Sequence, residues 1–298
     1  MSAKPSIAIV GAGNLANTLA ISLRHAGYRI DEIIARSHGA SFKKTQKLAR
    51  ESGACAAVVS GANLRATVVW FCVPDAEIAH AAQTVAQKID WSGKIALHSS
   101  GVLASDELDS LRRRGAAVAS VHPLMTFVRG SFSGKSKLSE ESTPLLTGVP
   151  FAIEGDAAAV RVARRIVKNL GGRAYPIRKS DKAAYHAWGT FASPLVTALL
   201  ATIERVAALA GVHQNDARRR MIPILQQTLA NYSSFGGAGG FSGPIIRGDA
   251  DTVKRHLRVL RKEHAALEVY LALARAALQY LPVKNRSQLK KALELSGK

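Results

Sequence analysis

Residues 6–16 read Ser6-Ile7-Ala8-Ile9-Val10-Gly11-Ala12-Gly13-Asn14-Leu15-Ala16. The first five form a short apolar run that ends at glycine, the pattern of a strand buried on both faces. From Asn14 the period changes. Leu15, Leu19 and Leu23 recur at four-residue spacing, with Ala16 and Ile21 beside them, and Gly27 follows. That pattern predicts a helix over 14–26. Between strand and helix lies Gly-x-Gly-x-x-Ala. Its first glycine permits the tight turn, its second lets a pyrophosphate approach the backbone, and Ala16 lets the helix pack close to the strand. The helix N-terminus adds free N–H groups and the positive end of a dipole. Gly11, Ala12, Gly13, Asn14 and Leu15 are thus the expected cradle of a dinucleotide.

A second strand is expected over 29–35, ending Ile33-Ile34-Ala35-Arg36-Ser37. A carboxylate usually stands at this end to bind the ribose hydroxyls of NAD. Here the position is Ala35, and Asp31 lies at the wrong end. Arg36 and Ser37 follow, with Lys43 and Lys44 nearby. A guanidinium and a hydroxyl suit a 2′-phosphate, so the expected cofactor is NADP(H).

Apolar runs at 67–73, 94–97, 116–121, 151–154 and 173–177 alternate with helical patterns at 43–52, 76–89, 103–114 and 156–170. This is the alternation of an α/β fold with a doubly wound parallel sheet. Residues 130–148 read as a surface loop. Beyond Ser180 only helical patterns occur: 181–210, 214–232, one or two over 251–280, and 287–295, with a glycine-rich loop at 235–248. Two domains follow, a nucleotide-binding one over 1–179 and an all-helical one over 180–298.

Ligands of open α/β sheets sit at the carboxyl ends of strands. Three such ends carry polar groups: Val73-Pro74-Asp75, His98-Ser99-Ser100-Gly101 and His122-Pro123-Leu124. Val73, Pro74 and Ser99 are expected to border the cofactor, and Ser100, Gly101 and His122 the substrate. A histidine such as His98 or His122 serves equally well as a structural hydrogen-bonding group. On the first long helix, Lys182 and His186 are four apart and Ser193 seven further on, so all three are expected on one stripe. Lysine and imidazole there could move a proton or polarise a carbonyl, which makes Lys182 and His186 the catalytic candidates and Ser193 a substrate contact. A surface lysine beside an interfacial histidine has the same spacing. In Phe241-Ser242-Gly243-Pro244-Ile245-Ile246-Arg247-Gly248-Asp249, Arg247 could hold an anionic substrate and Asp249 could cap the next helix, although a packing turn reads the same way.

The composition is that of a globular chain: 298 residues, 47% hydrophobic and 21% charged. Cys55 and Cys72 make no disulfide framework, which points to a reducing cytoplasm. Met1-Ser2-Ala3-Lys4-Pro5 lacks the order of a secretory leader. The apolar stretch from Gly189 to Ile203 falls short of a membrane span, so no membrane association is expected. The net charge of +20 is spread along the chain without interleaved aromatics, and a dedicated nucleic-acid surface is not expected. No metal site is expected.

Together the motifs resemble the 6-phosphogluconate dehydrogenase-like superfamily, which includes pyrroline-5-carboxylate reductases, prephenate dehydrogenases and β-hydroxyacid dehydrogenases. Within it the chain is more similar to Rossmann-like proteins with a DUF2520 domain. The resemblance is carried by Gly-Ala-Gly-Asn at 11–14, Ala-Arg-Ser at 35–37, LHSSG at 97–101, VHPLMTF at 121–127, DKAAYHAWGTFAS at 181–193 and SGPIIRGD at 242–249. In the β-hydroxyacid and 6-phosphogluconate dehydrogenases a lysine and an asparagine four apart serve catalysis and substrate binding. Lys182 matches the lysine, and His186 stands where the asparagine would be. His122-Pro123 resembles a motif of prephenate dehydrogenases, and Ser242-Gly243-Pro244 loosely echoes a Ser-Pro-Gly-Gly stretch of the reductases. The resemblance implies an NADP-dependent oxidoreductase acting on a small, anionic molecule in a cleft between domains. It also implies a homodimer paired through the C-terminal helices, with residues 191–210 at the seam. The alternative is an NADP(H)-binding sensor without turnover, to which the departure at His186 points.

Overall fold

The computed structural model describes residues 3–128 and 146–294. The surface loop expected over 130–148 lies, up to residue 145, outside the described residues. The chain divides into two compact units, Met1–Thr190 and Phe191–Lys298.

The first unit is built on an eight-stranded sheet of order β3-β2-β1-β4-β5-β6-β7-β8. Its strands are β1 (Ile7–Val10), β2 (Ile30–Ala35), β3 (Cys55–Val58), β4 (Val68–Phe71), β5 (Ile95–His98), β6 (Ala117–Pro123), β7 (Pro150–Gly155) and β8 (Arg173–Pro176). Its helices are α1 (Asn14–His25), α2 (Ala40–Ser52), α3 (Asp75–Ala86), α4 (Asp109–Arg112), α5 (Ala157–Asn169) and α6 (Lys182–Ala192). Alternation along β1 feeds two cores. Ile7 and Ile9 pack with Leu19 and Leu23 of α1 and Ile166 of α5. Ala8 and Val10 face the other side, with Ile78 and Val85 of α3 and with Leu111.

Three features depart from the sequence pattern. The parallel sheet holds from β3 through β6, but β7 runs antiparallel to β6, with Val121 opposite Ile153, and β8 then runs parallel to β7. Strand β3 is unforeseen, because four residues rich in alanine give no alternation to read. The helix expected over 103–114 is a 3₁₀ turn, Ser105–Leu108, followed by the single turn of α4. There the Glu154 carboxylate takes the Ser105 amide at 2.7 Å and its hydroxyl at 2.8 Å, which fixes the entry of the segment against β7.

The second unit contains α7 (Pro194–Leu209), α8 (Gln214–Gly240), α9 (Pro244–Arg247), α10 (Ala250–Leu260), α11 (His264–Tyr280) and α12 (Arg286–Glu294). Val253, Leu257, Leu271 and Leu289 are central to its core. The helix expected over 181–210 is two helices. Ser193 adopts φ −132° and ψ −76°, and Pro194 opens α7, where a missing N–H costs nothing. Helix α8 is kinked where the loop was expected to begin: Gly236, at φ 68° and ψ −174°, breaks it into two helical segments. Asp249 caps α10 as expected, accepting from the Thr252 amide at 3.0 Å.

The unit boundary falls beyond residue 179 because α6 belongs to the sheet through its fully buried Lys182. The run Lys179–Leu209 is long and apolar enough to cross a membrane by length and composition, contrary to the estimate from Gly189–Ile203. Its start is anchored in the sheet unit by Lys182, and Ser193 interrupts it. Glu204, near its end, is buried in an ion pair with Arg218 of α8 at 2.8 Å.

Candidate functional site

The glycine turn is held by geometry that only one of its glycines needs. Gly11 has φ +111°, and a Cβ there would stand 2.3 Å from the Cys72 carbonyl oxygen. Such an approach is closed to any other residue. Gly13 has ordinary backbone angles and open space where a Cβ would project. It is the N-cap of α1, with no side chain capping the free N–H groups. The fold therefore requires Gly11, whereas none of the described residues stands in the way of a side chain at 13. Asn14 does not face the cavity beside the turn; its amide donates to the Phe127 carbonyl at 2.9 Å and ties the turn to the segment after β6. Leu15 packs against the core.

Beside the turn lies a cavity of about 820 Å³. It runs from Gly11, Ala12 and Gly13 past Val73 and Pro74 to Ala35 and Arg36. Ser41 and Lys44 line the same end, so the polar groups beside Arg36 come from α2. Ser37 is exposed, does not line the cavity, and accepts the Ser41 hydroxyl on its carbonyl at 3.3 Å. Arg36 pairs with Glu77 at 3.0 Å.

A second cluster lies at the ends of the next two strands. Adjacent strands are about 4.8 Å apart, so the end of β5 stands roughly 10 Å from the glycine turn on β1. His98 is fully buried at the end of β5. Its Nδ1 accepts the Ser100 amide at 3.1 Å, so the proton sits on Nε2, which donates to the Ala104 carbonyl at 3.0 Å. Burial holds this imidazole at about 4, with Lys182 adding to the effect. His98 is a structural group that shapes the Ser99-Ser100-Gly101 turn. The Ser100 hydroxyl accepts the Val102 and Leu103 amides, and the Ser99 hydroxyl accepts the Trp70 indole N–H at 2.8 Å.

Lys182 enters this turn from α6. It is fully buried, and its ammonium donates to the Ser100 carbonyl at 3.1 Å and to Ser120 Oγ of β6 at 2.8 Å. Burial lowers its pKa, opposed by the charges of Glu154 and Asp75. His186 lies one turn along the helix and is exposed. The shared stripe therefore has one end sealed and one end open. His122 stands between them. Its ring is 6.2 Å from that of His186, and its Nδ1 is 3.2 Å from the Tyr185 hydroxyl. Burial holds His122 at about 4, helped by Lys182, His186 and His98. Burial also pushes the Tyr185 hydroxyl up to about 12. A Cβ on Gly101 would lie 2.6 Å from the His186 ring and 2.8 Å from that of His122. Glycine at 101 is what lets the two imidazoles converge.

Lys182, His186, Ser100, Gly101 and His122 are thus brought together. Ser193 and Arg247 lie in the second unit, and the helix that carries Lys182 and His186 ends at Ala192, before Ser193. Sequence reasoning missed Tyr185, Ser120, Glu154 and Glu77. Tyr185 had a signal, because three-residue spacing from Lys182 puts it on the same helical side. The other three carry none, since strand order alone decides their neighbours.

The Rossmann-like domain model matches residues 1–123, and the domain of unknown function DUF2520 matches residues 149–277. No curated protein matches the chain by sequence. Solved structures share the fold at low identity. A proposed NADP oxidoreductase from Bacteroides fragilis is 20% identical, with a TM-score of 0.72 over 92% of this chain and 97% of that one. A reductive aminase from Aspergillus terreus, in complex with NADPH and ethyl-5-oxohexanoate, is 13% identical, with a TM-score of 0.61 over 97% and 99%. A pyrroline-5-carboxylate reductase from Coxiella burnetii is 12% identical, with a TM-score of 0.57 over 99% and 98%.

Proposed function

From a chain that joins a Rossmann-like domain to a DUF2520 domain, we propose an NADP(H)-dependent oxidoreductase acting on a small, anionic substrate with a C=O or C=N bond. The observation that carries it is the single cavity joining the open Gly13 to Arg36 and Lys44. Gly13 and the free N–H groups of α1 suit a pyrophosphate, and Arg36, Ser41 and Lys44 suit a 2′-phosphate. The fold relatives described as an NADP oxidoreductase and as an NADPH complex agree with that fit. When bound, NADPH supplies a hydride equivalent.

The chain's own residues handle the proton and the geometry. Tyr185 remains protonated at neutral pH and can donate to an oxygen or nitrogen that gains charge. His122, neutral at that pH, accepts or orients the Tyr185 proton through Nδ1. His186, at the open end, is the group best placed to touch substrate. Lys182 is too buried to reach a substrate and acts as a positioning residue: it fixes Ser100 and Ser120, and hence Gly101 and the two imidazoles. Its positive charge favours an anionic substrate. Incubating the protein with NADPH and a panel of keto acids and cyclic imines, and with NADP+ and the corresponding hydroxyacids, is the test. Oxidation of NADPH with at least one imine or keto acid, slowed about 100-fold by Tyr185→Phe, is the expected result. Tight NADPH binding with no turnover across the panel would favour the sensor instead.

The second unit is proposed to pair with a second copy. Phe191, Ile224, Leu229, Tyr232 and Phe235 are exposed, and Ala217 is the only buried residue on the 27-residue α8. A helix that buries so little of its apolar surface lacks the packing that stabilises helices. Sedimentation at micromolar concentration is expected to give twice the chain mass of 31.7 kDa; a monomer there would sink this assignment. A cytoplasmic location fits the two cysteines, which are unpaired.

A further inference from the structure

The nucleotide cavity carries one discordant charge. Arg36, Lys44 and Lys88 line it, and among the described residues lining it Glu77 is the only acid. Glu77 lies in the first turn of α3, immediately after Pro74 at the end of β4. Its Oε2 accepts from Arg36 Nη1 at 3.0 Å. The two side chains are 40% and 74% exposed, respectively, so the pair is screened by solvent and adds little to folding. Its consequence falls on the ligand. The guanidinium assigned to the 2′-phosphate already has a carboxylate, and an arriving phosphate must displace that carboxylate while being repelled by it.

We infer that Glu77 sets the discrimination between 2′-phosphorylated and 2′-hydroxyl nucleotides by serving as an internal counter-ion for Arg36. This rests on the NADP(H) reading of the cavity. A nucleotide with a free 2′-hydroxyl leaves the ion pair intact and can donate its hydroxyl proton to the carboxylate. A 2′-phosphate, nearly dianionic at neutral pH, gains Arg36 only by expelling Glu77. The residue therefore tempers the preference that Arg36, Ser41 and Lys44 would otherwise impose, and it marks a cavity able to accept both nucleotide classes.

Adenosine 2′,5′-bisphosphate and AMP differ only in the 2′-phosphate, so calorimetric titration of both into wild-type protein and Glu77→Gln isolates the effect. At ~0.05 M salt the variant is expected to bind the bisphosphate about tenfold more tightly and AMP within about twofold of wild type. Raising the salt to ~0.5 M should shrink the bisphosphate gain, since the charges are exposed. Glu77→Ala, which loses the carboxylate in another way, should behave alike. An unchanged bisphosphate affinity, or an equal gain for both ligands, would overturn the assignment while leaving the nucleotide site standing. If wild-type protein bound neither ligand, the nucleotide reading itself would fail, and Glu77's role with it.

Discussion

Lys182→Met is expected to leave a folded protein that has lost about 100-fold in turnover, the scale of loss seen when reacting groups are misplaced by an ångström. Methionine preserves the volume of the buried stem, and the Ser120 hydroxyl still donates to the Ser100 carbonyl at 3.2 Å. Removing a desolvated ammonium offsets the two hydrogen bonds it made, so stability should stay within about 1 kcal/mol. Lys182→Ala differs, because it also leaves a cavity in a site with no solvent access, and should cost about 3 kcal/mol. Titration separates positioning from mere packing. His98 and His122 are held at about 4, below the usual histidine value of 6.5. Between those values the unfolded chain binds more protons than the folded one. Their contribution is therefore complete above about 6.5 and is lost as pH falls toward 4, at most about 3 kcal/mol for each histidine. Lys182 is one cause of the His122 depression. In Lys182→Met the His122 resonance should titrate at higher pH, and urea unfolding should show a shallower loss toward acid. Unchanged turnover with an unmoved His122 titration would remove Lys182 from the site.

The second large effect separates the two glycines of the turn. Gly11→Ala drives a Cβ to 2.3 Å from the Cys72 carbonyl oxygen in a left-handed backbone, and β1 or β4 must shift. The expected cost is about 3 kcal/mol or more, with nucleotide binding lost as a consequence. Gly13→Ala meets nothing within 4 Å and needs no unusual φ. Its melting temperature should match wild type, while NADPH affinity falls at least about tenfold because the methyl group occupies the approach of the pyrophosphate. Thermal melts and fluorescence titration read the two quantities independently. A Gly13→Ala protein that bound NADPH normally would mean the phosphate lies elsewhere.

Legibility in the sequence followed the range of the interaction. Residues 6–16 declared their strand, turn and helix because each signal lies within one or two turns of chain. Ala35-Arg36 raised the proposal of NADP(H) for the same reason. Long-range choices left no local trace. The apolar run at 151–154 does not say which way β7 runs beside β6. Glu154 meets Ser105 and Lys182 meets Ser120 only because β5, β6 and β7 are neighbours in the sheet. Helix periodicity correctly joined Lys182 to His186, but it could not tell that one end of the stripe is sealed. The break at Ser193 did carry a local signal, the following Pro194, but the apolar pattern that α6 and α7 share outweighed it.

The unequal demands on Gly11 and Gly13 also leave a historical record. Position 11 is constrained by the carbonyl of a neighbouring strand, whatever the protein binds. Position 13 meets nothing in the fold within 4 Å, so on the proposed reading only an incoming phosphate constrains it. A lineage of this fold that gave up its nucleotide would be free to drift at 13 while still being held at 11. If the proposed nucleotide site is right, the pair works as a two-channel recorder: one residue reports that the sheet persists, the other that its ligand does. In this chain both channels still read glycine.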